Sequence, residues 1–531
     1  MASETQIPQA NARRIMSLNP ATGEVLREFA CAEENEVLAT VARAREAQPA
    51  WCDLGLRKRI AIVREFQRRL HDKKSEIAAA ITREAGKPRV EALVTEVLVV
   101  LDAARFLVDH AHRLLADEPV PHGNLATRLK SGRLVREPYG VIGIISPWNY
   151  PFSIPATETL AALVAGNAVV LKPSEFTSLA ALELRSLLHA AGVPENVFQV
   201  VLGDGATGAA LLHSPLGHRG IDKLVFTGSV STGKRIAAAA AERLLPVVLE
   251  LGGKDAMLVL DDADVDVASS AAVWGAFVNA GQACLSVERC YVHRSVYERF
   301  LASCAEKTKK LHVGSGEDPE TDVGPLIHER QLLTVEGHVE DAKARGARVL
   351  AGGARFRELG SNFYRPTVLA DVTHQMRIMR EETFGPVLPV MAFDSDDDAV
   401  RLANDSEYAL AASGWTRDSK RGERLARRIQ AGTVMVNDVI SCFGISEAPH
   451  GGWKASGIGR AHGRFGLEEM VRLKYLDVDL MPAMKKVWWY GYGERFARQM
   501  EGFLDFQFAR GLGQRVRGAL RAAGLVRRKQ L

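Results

Sequence analysis

Apolar positions recurring every three to four residues, with charged faces between them, run through residues 37–47, 56–85 and 91–115. This spacing predicts amphipathic helices, because 3.6 residues per turn bring such positions onto one face. Over residues 127–136 the period shortens to two, which predicts strands with a turn at Ser131-Gly132. Residues 140–145 are then wholly apolar, and short apolar strands follow at 168–171, 198–201, 223–226 and 247–251. Between them lie helical stretches at 156–165, 178–191, 206–213 and 233–243. Strands with no polar face need cover on both sides, so a parallel sheet flanked by helices is expected. A second α/β series runs from Gly253 to about Gly452, and 531 residues exceed what one small core serves.

Composition adds little except at the end of the chain. The net charge of +4 hides an asymmetry: residues 484–531 carry 11 Lys/Arg against three acids, or +8, leaving −4 for residues 1–483. The six cysteines are scattered, with no CxxC pair and no Cys/His cluster at zinc spacing, so neither a disulfide framework nor a metal site is expected. Residues 1–20 lack the apolar core of a secretory signal. The most apolar long stretch, 92–108, is interrupted by Glu96, Asp102 and Arg105 and is unfit to span a bilayer. A cytoplasmic chain with reduced thiols is the expectation.

Five segments carry candidate chemistry. Cys284 stands in Asn279-Ala-Gly-Gln-Ala-Cys-Leu-Ser, and a partly ionised cysteine near a base can attack a carbonyl. Most lone cysteines are buried structural residues, so this segment decides nothing alone. Glu250 ends an apolar strand and precedes Gly252-Gly253; it reads as a general base for water, or as a solvated loop acid. Asn149, in Ser146-Pro-Trp-Asn-Tyr-Pro151, can donate its amide to a developing oxyanion, or merely shape a turn between two prolines. Lys172 and Glu175, in Lys-Pro-Ser-Glu, close another strand where both can reach a ribose. The loop Phe226-Thr-Gly-Ser-Val-Ser-Thr-Gly233 leads a strand into a helix whose N-terminus suits a pyrophosphate, though it matches neither GxGxxG nor GxxxxGK[ST].

Taken in order, Pro-Trp-Asn, Lys-Pro-Ser-Glu, Phe-Thr-Gly-Ser, Glu-Leu-Gly-Gly and Gly-Gln-Ala-Cys are followed by Glu381-Glu-Thr-Phe-Gly-Pro386 and Pro449-His-Gly-Gly-Trp-Lys-Ala-Ser-Gly457. This series closely resembles the aldehyde dehydrogenase superfamily, from Asn19-Pro-Ala-Thr-Gly-Glu24 to about Asp479. The resemblance implies a Rossmann-like NAD-binding lobe (1–126 and 147–252) and an α/β catalytic lobe (253–452). It also implies a small β extension (127–146 and 468–482) that joins subunits into a homodimer or homotetramer.

By motif, Cys284 matches the nucleophile, Glu250 the general base and Asn149 the oxyanion donor, aided by the Cys284 N–H. Lys172 and Glu175 match the adenosine-ribose contacts, and Gly228 and Ser229 the pyrophosphate segment. Glu382 matches the nicotinamide-ribose ligand with Phe384 beside the nicotinamide; Trp148, Gly205 and Leu251 complete the cofactor contacts, and Asn437 matches a site-supporting asparagine. The implied reaction is NAD-dependent oxidation of a small-molecule aldehyde through a thiohemiacetal and a thioester on Cys284. Retention of Glu250 favours hydrolysis over a CoA-acylating alternative. Glu175 repels a 2′-phosphate, which favours NAD over NADP.

The substrate is less legible. Tyr150, Ser153 and Thr157 fall on the pocket wall, residues 439–447 at its mouth, and His450 where the motif usually has Phe. No Arg stands near Thr157 to hold a distal carboxylate, which counts against succinate semialdehyde unless Arg289 or a loop arginine substitutes. Beyond Asp479, Val487-Trp-Trp-Tyr-Gly-Tyr492 precedes apolar positions at helical spacing with arginines between them. Residues 483–531 thus read as a basic amphipathic extension, for peripheral membrane contact or for packing on the enzyme. Gly502, Gly511, Gly513 and Gly518 weaken it as one long helix, and no nucleic-acid partner is expected.

Overall fold

A computed structural model of the chain describes residues 13–213 and 220–525. One compact unit comprises the described residues up to Leu115 together with Glu137–Arg472; the second comprises Ala116–Arg136 and the described residues from Leu473 onward. The first unit holds two hydrophobic cores. One gathers buried side chains between Ala32 and Leu251, and the other those between Ala256 and Cys442. The boundary falls at Gly252-Gly253, where the strand Val247–Glu250 hands over to Asp255–Val259.

The first lobe is built on a six-stranded sheet in the order Gly457–Ile458, Val247–Glu250, Lys223–Thr227, Val141–Ile145, Ala168–Lys172, Phe198–Val200. All neighbours are parallel except Gly457–Ile458, which runs antiparallel along Val247–Glu250. Helices Ser153–Ala165, Ser178–Ala190 and Val230–Ala241 connect the strands, and every residue of Ala168–Lys172 is buried. The second lobe is built on a seven-stranded sheet, with Asp255–Val259 between Val287–His293 and Ala411–Trp415. Fully apolar strands between helices are thus doubly covered, as their sequence requires.

Several expectations need correction. Residues 56–85 form two helices, Leu56–Asp72 and Lys74–Ala85, broken at Lys73. Residues 91–115 include a π-helical turn, Ala92–Leu98, before the helix Val99–Leu114. There is no hairpin turn at Ser131-Gly132, because both lie inside one strand, Lys130–Pro138. That strand is central in a three-stranded sheet with Glu118–Val120 and Val471–Asp479, so the β extension starts before residue 127. Val141–Ile145, assigned above to the extension, is instead a central strand of the first lobe, because its apolar side chains are buried there. After residue 452 the chain returns to the first lobe, where Gly457–Ile458 joins the sheet and Leu467, Met470 and Val471 join the core.

In the second unit, Glu494–Phe508 and Leu512–Ala522 form a helical hairpin. Gly502 and Gly518, expected to weaken a helix, are where the two helices meet. A Cβ on Gly518 would lie 2.6 Å from the Gly502 carbonyl oxygen, and one on Gly502 would lie 2.8 Å from that of Gly518. Arg527, Arg528 and Lys529 lie outside the described residues. Among the described residues, no helix is long and apolar enough to cross a membrane.

Candidate active site

The strand order of the first sheet fixes where a ligand can sit. From Val141–Ile145 the chain moves outward to Ala168–Lys172 and Phe198–Val200, then returns to the other side of its first strand at Lys223–Thr227. Connections leaving these two central strands diverge to opposite faces and open a crevice beyond their carboxyl ends. Ser146-Pro-Trp-Asn and Gly228-Ser229 stand at those ends. A cavity of about 840 Å³ lies there, lined by Trp148, Asn149, Lys172, Glu175, Gly205, Gly228, Ser229, Glu250, Leu251, Cys284, Glu382 and Phe384. All twelve candidate residues therefore meet in one space.

Cys284 follows a strained turn. Asn279, Ala280 and Gly281 have φ of 53°, 54° and 73°, a left-handed run that costs a non-glycine residue about 1–3 kcal/mol each. Gly281 is also required by space, since a Cβ would collide with the Gly385 carbonyl. The turn is held from several sides. The Asn279 N–H donates to Glu91 at 2.9 Å and its side-chain amide to the Asn149 carbonyl at 2.9 Å. The Asn149 side-chain amide donates to the Gln282 carbonyl at 3.1 Å, two residues before Cys284. Burial raises the Cys284 thiol pKa, and the carboxylates of Asp255, Glu382 and Glu250 raise it further.

Sequence reasoning missed the residues behind Asn149. Lys87 is fully buried; its ammonium donates to the Asn149 carbonyl and to Glu96, both at 2.7 Å, and lies 4.0 Å over the Tyr150 ring. The other Glu96 oxygen accepts the N–H groups of Phe152 and Ser153 at 3.1 and 2.7 Å. Glu96 lies within the π-helical turn, a feature frequent at functional sites. In the sequence Lys87 reads as a loop charge between Gly86 and Pro88, and Glu96 as a charge inside an apolar helix.

Glu250 is buried, and neither carboxylate oxygen has a hydrogen-bond partner; His450 Nε2 lies 3.8 Å from one of them. Desolvation raises its pKa well above the ordinary carboxylate value, and the charge of Glu158 adds to this. The two glycines that follow are demanded by close approach. A Cβ on Gly252 would strike the Glu382 carboxylate, and one on Gly253 the Cys284 carbonyl. The Gly253 N–H donates to Glu382 at 3.0 Å. Glu288 accepts the N–H groups of Thr383 and Phe384, both at 2.8 Å, and pairs with buried Lys254 at 2.5 Å. This fixes the loop carrying Glu382 and Phe384, whose ring meets Trp148 edge-on at 5.4 Å.

The aldehyde dehydrogenase family model matches residues 7–476. The chain belongs to the aldehyde dehydrogenase family. It is 39% identical over 492 residues to a 4,4'-diapolycopene aldehyde oxidase of Methylomonas sp, covering 93% of this chain and 91% of that protein. It is 40% identical over 458 residues to a putative NADP-dependent succinate-semialdehyde dehydrogenase of Mycolicibacterium smegmatis, covering 86% of each. Among solved structures, the NAD+ complex of an aldehyde dehydrogenase from Bacillus cereus superposes with a TM-score of 0.84 at 35% identity, covering 88% of this chain and 94% of that one.

In this aldehyde dehydrogenase the wide end of the cavity fits a dinucleotide. Ser229 caps the helix Val230–Ala241, and Gly205 opens the helix Gly205–His213 with nothing within 4 Å of where its Cβ would be. Both helix N-termini border the cavity and favour an anion. A Cβ on Gly228 would lie 2.6 Å from the Phe226 ring, and one on Gly233 lies 2.5 Å from Leu251. Lys172 is buried and 3.6 Å from Glu175, while Glu175 itself remains partly exposed to the cavity. Arg235, His328 and Gln331 also line this end and were not singled out from sequence.

A separate small cavity, of about 20 Å³, shares Cys284, Glu250 and Ile154 with the large one and is otherwise lined by Phe443, His450 and His462 among others. Tyr150, Ile154 and Ala283 cluster with Phe443, from the expected mouth segment. Phe443 meets His450 edge-on at 5.2 Å and His462 at 4.7 Å. Burial lowers the two imidazoles to about 3 and about 4, so both are neutral. Thr157 lines the same space, but its hydroxyl is committed to the Ile154 carbonyl at 3.0 Å. Ser153 is buried on the same helix turn. Arg289 does not enter the cavity, because its guanidinium donates to the carbonyls of Lys254, Leu402 and Ala403. Asn437 also stands outside, holding the N–H and carbonyl of Thr416 with its side chain at a φ of 57°.

Proposed function

We propose that the chain oxidises an apolar aldehyde to the free carboxylic acid with NAD, and that the residues above hold the roles their motifs imply. The observation that carries this reading is the convergence of Cys284, Asn149, Glu250 and Glu382 on one cavity, beside which Tyr150, Ile154, Ala283 and Phe443 form an aromatic cluster. Cys284 meets the aldehyde as a thiol, and its proton passes to the Glu250 carboxylate as sulfur adds to the carbonyl carbon. The Asn149 amide and the Cys284 N–H receive the oxyanion; a positioned donor of this kind contributes about 2.7–4 kcal/mol. NAD, when bound, supplies the hydride acceptor, and a thioester remains on Cys284. Glu250 then withdraws a proton from water as the water oxygen adds to the thioester, and the C–S bond breaks to release the acid.

Residue by residue, the cofactor reading rests on Lys172 and Glu175 for the adenosine ribose, and on Gly205, Gly228 and Ser229 for the pyrophosphate. Leu251, Trp148 and Phe384 shape the nicotinamide end, with Glu382 on its ribose. Glu175 favours the 2′-hydroxyl of NAD over the phosphate of NADP.

Neutral His450 and His462, with Tyr150, Ile154 and Phe443, suit a substrate without a distal charge. Commitment of Arg289 to backbone carbonyls removes one of the two substitute anchors considered for a semialdehyde carboxylate. Subunit pairing is assigned to the edge strand Val471–Asp479, which leaves Leu473 and Val478 exposed. The helical hairpin is assigned to an anionic membrane surface: Leu512, Val516 and Leu520 form an exposed stripe at intervals of four, flanked by Arg515, Arg517 and Arg521. Such a location suits aldehydes derived from lipids.

The test is NADH production across aldehydes graded by chain length and terminal charge, with NAD and NADP compared. The expected result is the highest kcat/KM for long neutral aldehydes with NAD and free acid as product. Binding of NAD without turnover of any aldehyde would overturn the enzymatic reading, and acyl-CoA in excess of free acid would replace it with the acylating one.

A further inference from the structure

Oxidation of an aldehyde to a carboxylate sheds two protons per turnover from a buried site: the Cys284 thiol and the hydrolytic water each give one up, and the second proton of that water returns to the Cys284 sulfur as the C–S bond breaks. On the reading above, both pass through Glu250. That residue regains its carboxylate for the second transfer only after the first proton has left, so an acceptor must lie behind it.

The helix Ser153–Ala165 places Glu158 there. Glu158 is 5% exposed, and no Lys or Arg among the described residues pairs with it. Its Oε1 accepts from the Thr227 hydroxyl at 3.3 Å, while Oε2 and both Glu250 oxygens are buried without a donor. Thr227 stands directly opposite Glu250 in the parallel strand register. A cavity of about 20 Å³ is lined by Cys284, Glu250, Thr227 and Glu158 together. A space of that size admits a water molecule, and three polar partners surround it. On the far side of Glu158 a second cavity, of about 30 Å³, is lined by Arg460, His462 and Ser446. Two uncompensated buried carboxyls cost stability, so packing alone does not account for them.

We propose that Glu158 is a relay residue that receives the Glu250 proton across the intervening water and gives it up to water in the second cavity, on the Arg460 side. In the balanced sequence the S–H bond of Cys284 breaks and Glu250 gains that proton. Glu158 then takes it, so that Glu250 is a carboxylate when the O–H bond of the hydrolytic water breaks. Burial holds Glu158 up at about 8, so it holds a proton at lower pH and is free to accept one at and above that pH. Facing the pair are Cys284, neutral His450 and His462, the Arg460 cation, and Glu469, which is paired with Lys223 at 2.5 Å. Against the rise stand the Arg460 cation and the Ala461 N–H for Glu250, and the Thr227 hydroxyl for Glu158.

This inference rests on the catalytic reading of Glu250, and the experiment separates the two. With a neutral aliphatic aldehyde and NAD, stopped-flow and intact-mass measurements are made on the full chain, on Glu158→Gln, on Glu158→Asp and on Thr227→Val. The expected Glu158→Gln result is an NADH burst stoichiometric with enzyme, a steady rate at least about tenfold lower, and an acyl adduct on Cys284. Glu158→Asp restores part of the steady rate, and the acid limb of the kcat profile moves to lower pH in Glu158→Gln. Thr227→Val gives a smaller loss of the same kind and serves if Glu158→Gln does not fold. A steady rate within twofold of the unaltered chain, or a burst that falls in parallel with it, would overturn the relay. Absence of NADH from the unaltered chain would instead overturn the reading of the site.

Discussion

The ammonium of Lys87 donates to the backbone carbonyl of Asn149 at 2.7 Å, across 62 residues of sequence, while paired with Glu96 in a fully buried site. The position of the Asn149 amide is thus set by a charge pair on two other segments. Breaking such a pair on one side costs about 3–5 kcal/mol, because the remaining charge is stranded. Lys87→Met is expected to lower stability by about that amount and to reduce kcat more than KM, since the displaced amide acts on the oxyanion. Thermal unfolding with steady-state kinetics checks this; an unchanged melting temperature together with unchanged kcat would refute it.

Cys284→Ala is expected to abolish aldehyde oxidation while NAD binding persists. Glu250→Gln is expected to lower kcat by about 10²–10⁴ and to leave acyl enzyme detectable by intact mass. Near-normal turnover of Glu250→Gln would mean that another group activates water.

Two buried neutral imidazoles make the fold acid-sensitive. His450 and His462 are depressed to about 3 and about 4, below their unfolded value near 6.5. The unfolded chain therefore binds more protons in this range, and stability is full above about pH 6.5 and falls as pH drops toward 4. His450→Phe fills a similar volume without a titrating group and is expected to flatten that loss. Denaturant midpoints measured between pH 7 and 4 test it; parallel curves for the two proteins would count against it.

Glu175 stands 3.6 Å from Lys172 at the wide end of the cleft. Glu175→Ser removes the charge facing a 2′-phosphate and is expected to raise kcat/KM for NADP relative to NAD by tenfold or more, as about 1.4 kcal/mol of repulsion would give. An unchanged ratio would place cofactor choice elsewhere.

Truncation after Pro482 removes the aromatic cluster and both helices of the hairpin. Co-sedimentation with anionic phosphatidylserine vesicles should be lost, and should weaken with salt in the intact chain. Retained binding by the truncated chain would dismiss the membrane assignment.

The periodicity along the chain determined the α/β class and the order of strands and helices in the first lobe, whereas the twelve candidate residues came from the ordered motifs and the family they resemble. Those features follow from local rules: apolar runs predict doubly covered strands, and the carboxyl ends of such strands carry sites. The glycines of Glu-Leu-Gly-Gly were legible as a pattern but not as a cause. Only the packed structure brings the Glu382 carboxylate and the Cys284 carbonyl against positions 252 and 253.

Tertiary structure alone decided the membership of Val141–Ile145 in the main sheet and the return of residues 457–471 to the first lobe. It also decided the use of Gly502 and Gly518 as a helix crossing. It placed Lys87 and Glu96 behind Asn149 and Glu158 beside Glu250, although Lys87 reads as a loop charge and the two acids as isolated charges in apolar stretches. The physical reason is the same throughout. A side chain's partners across tens or hundreds of residues, and the water excluded between them, are set by how the elements pack and not by the local spacing of apolar positions.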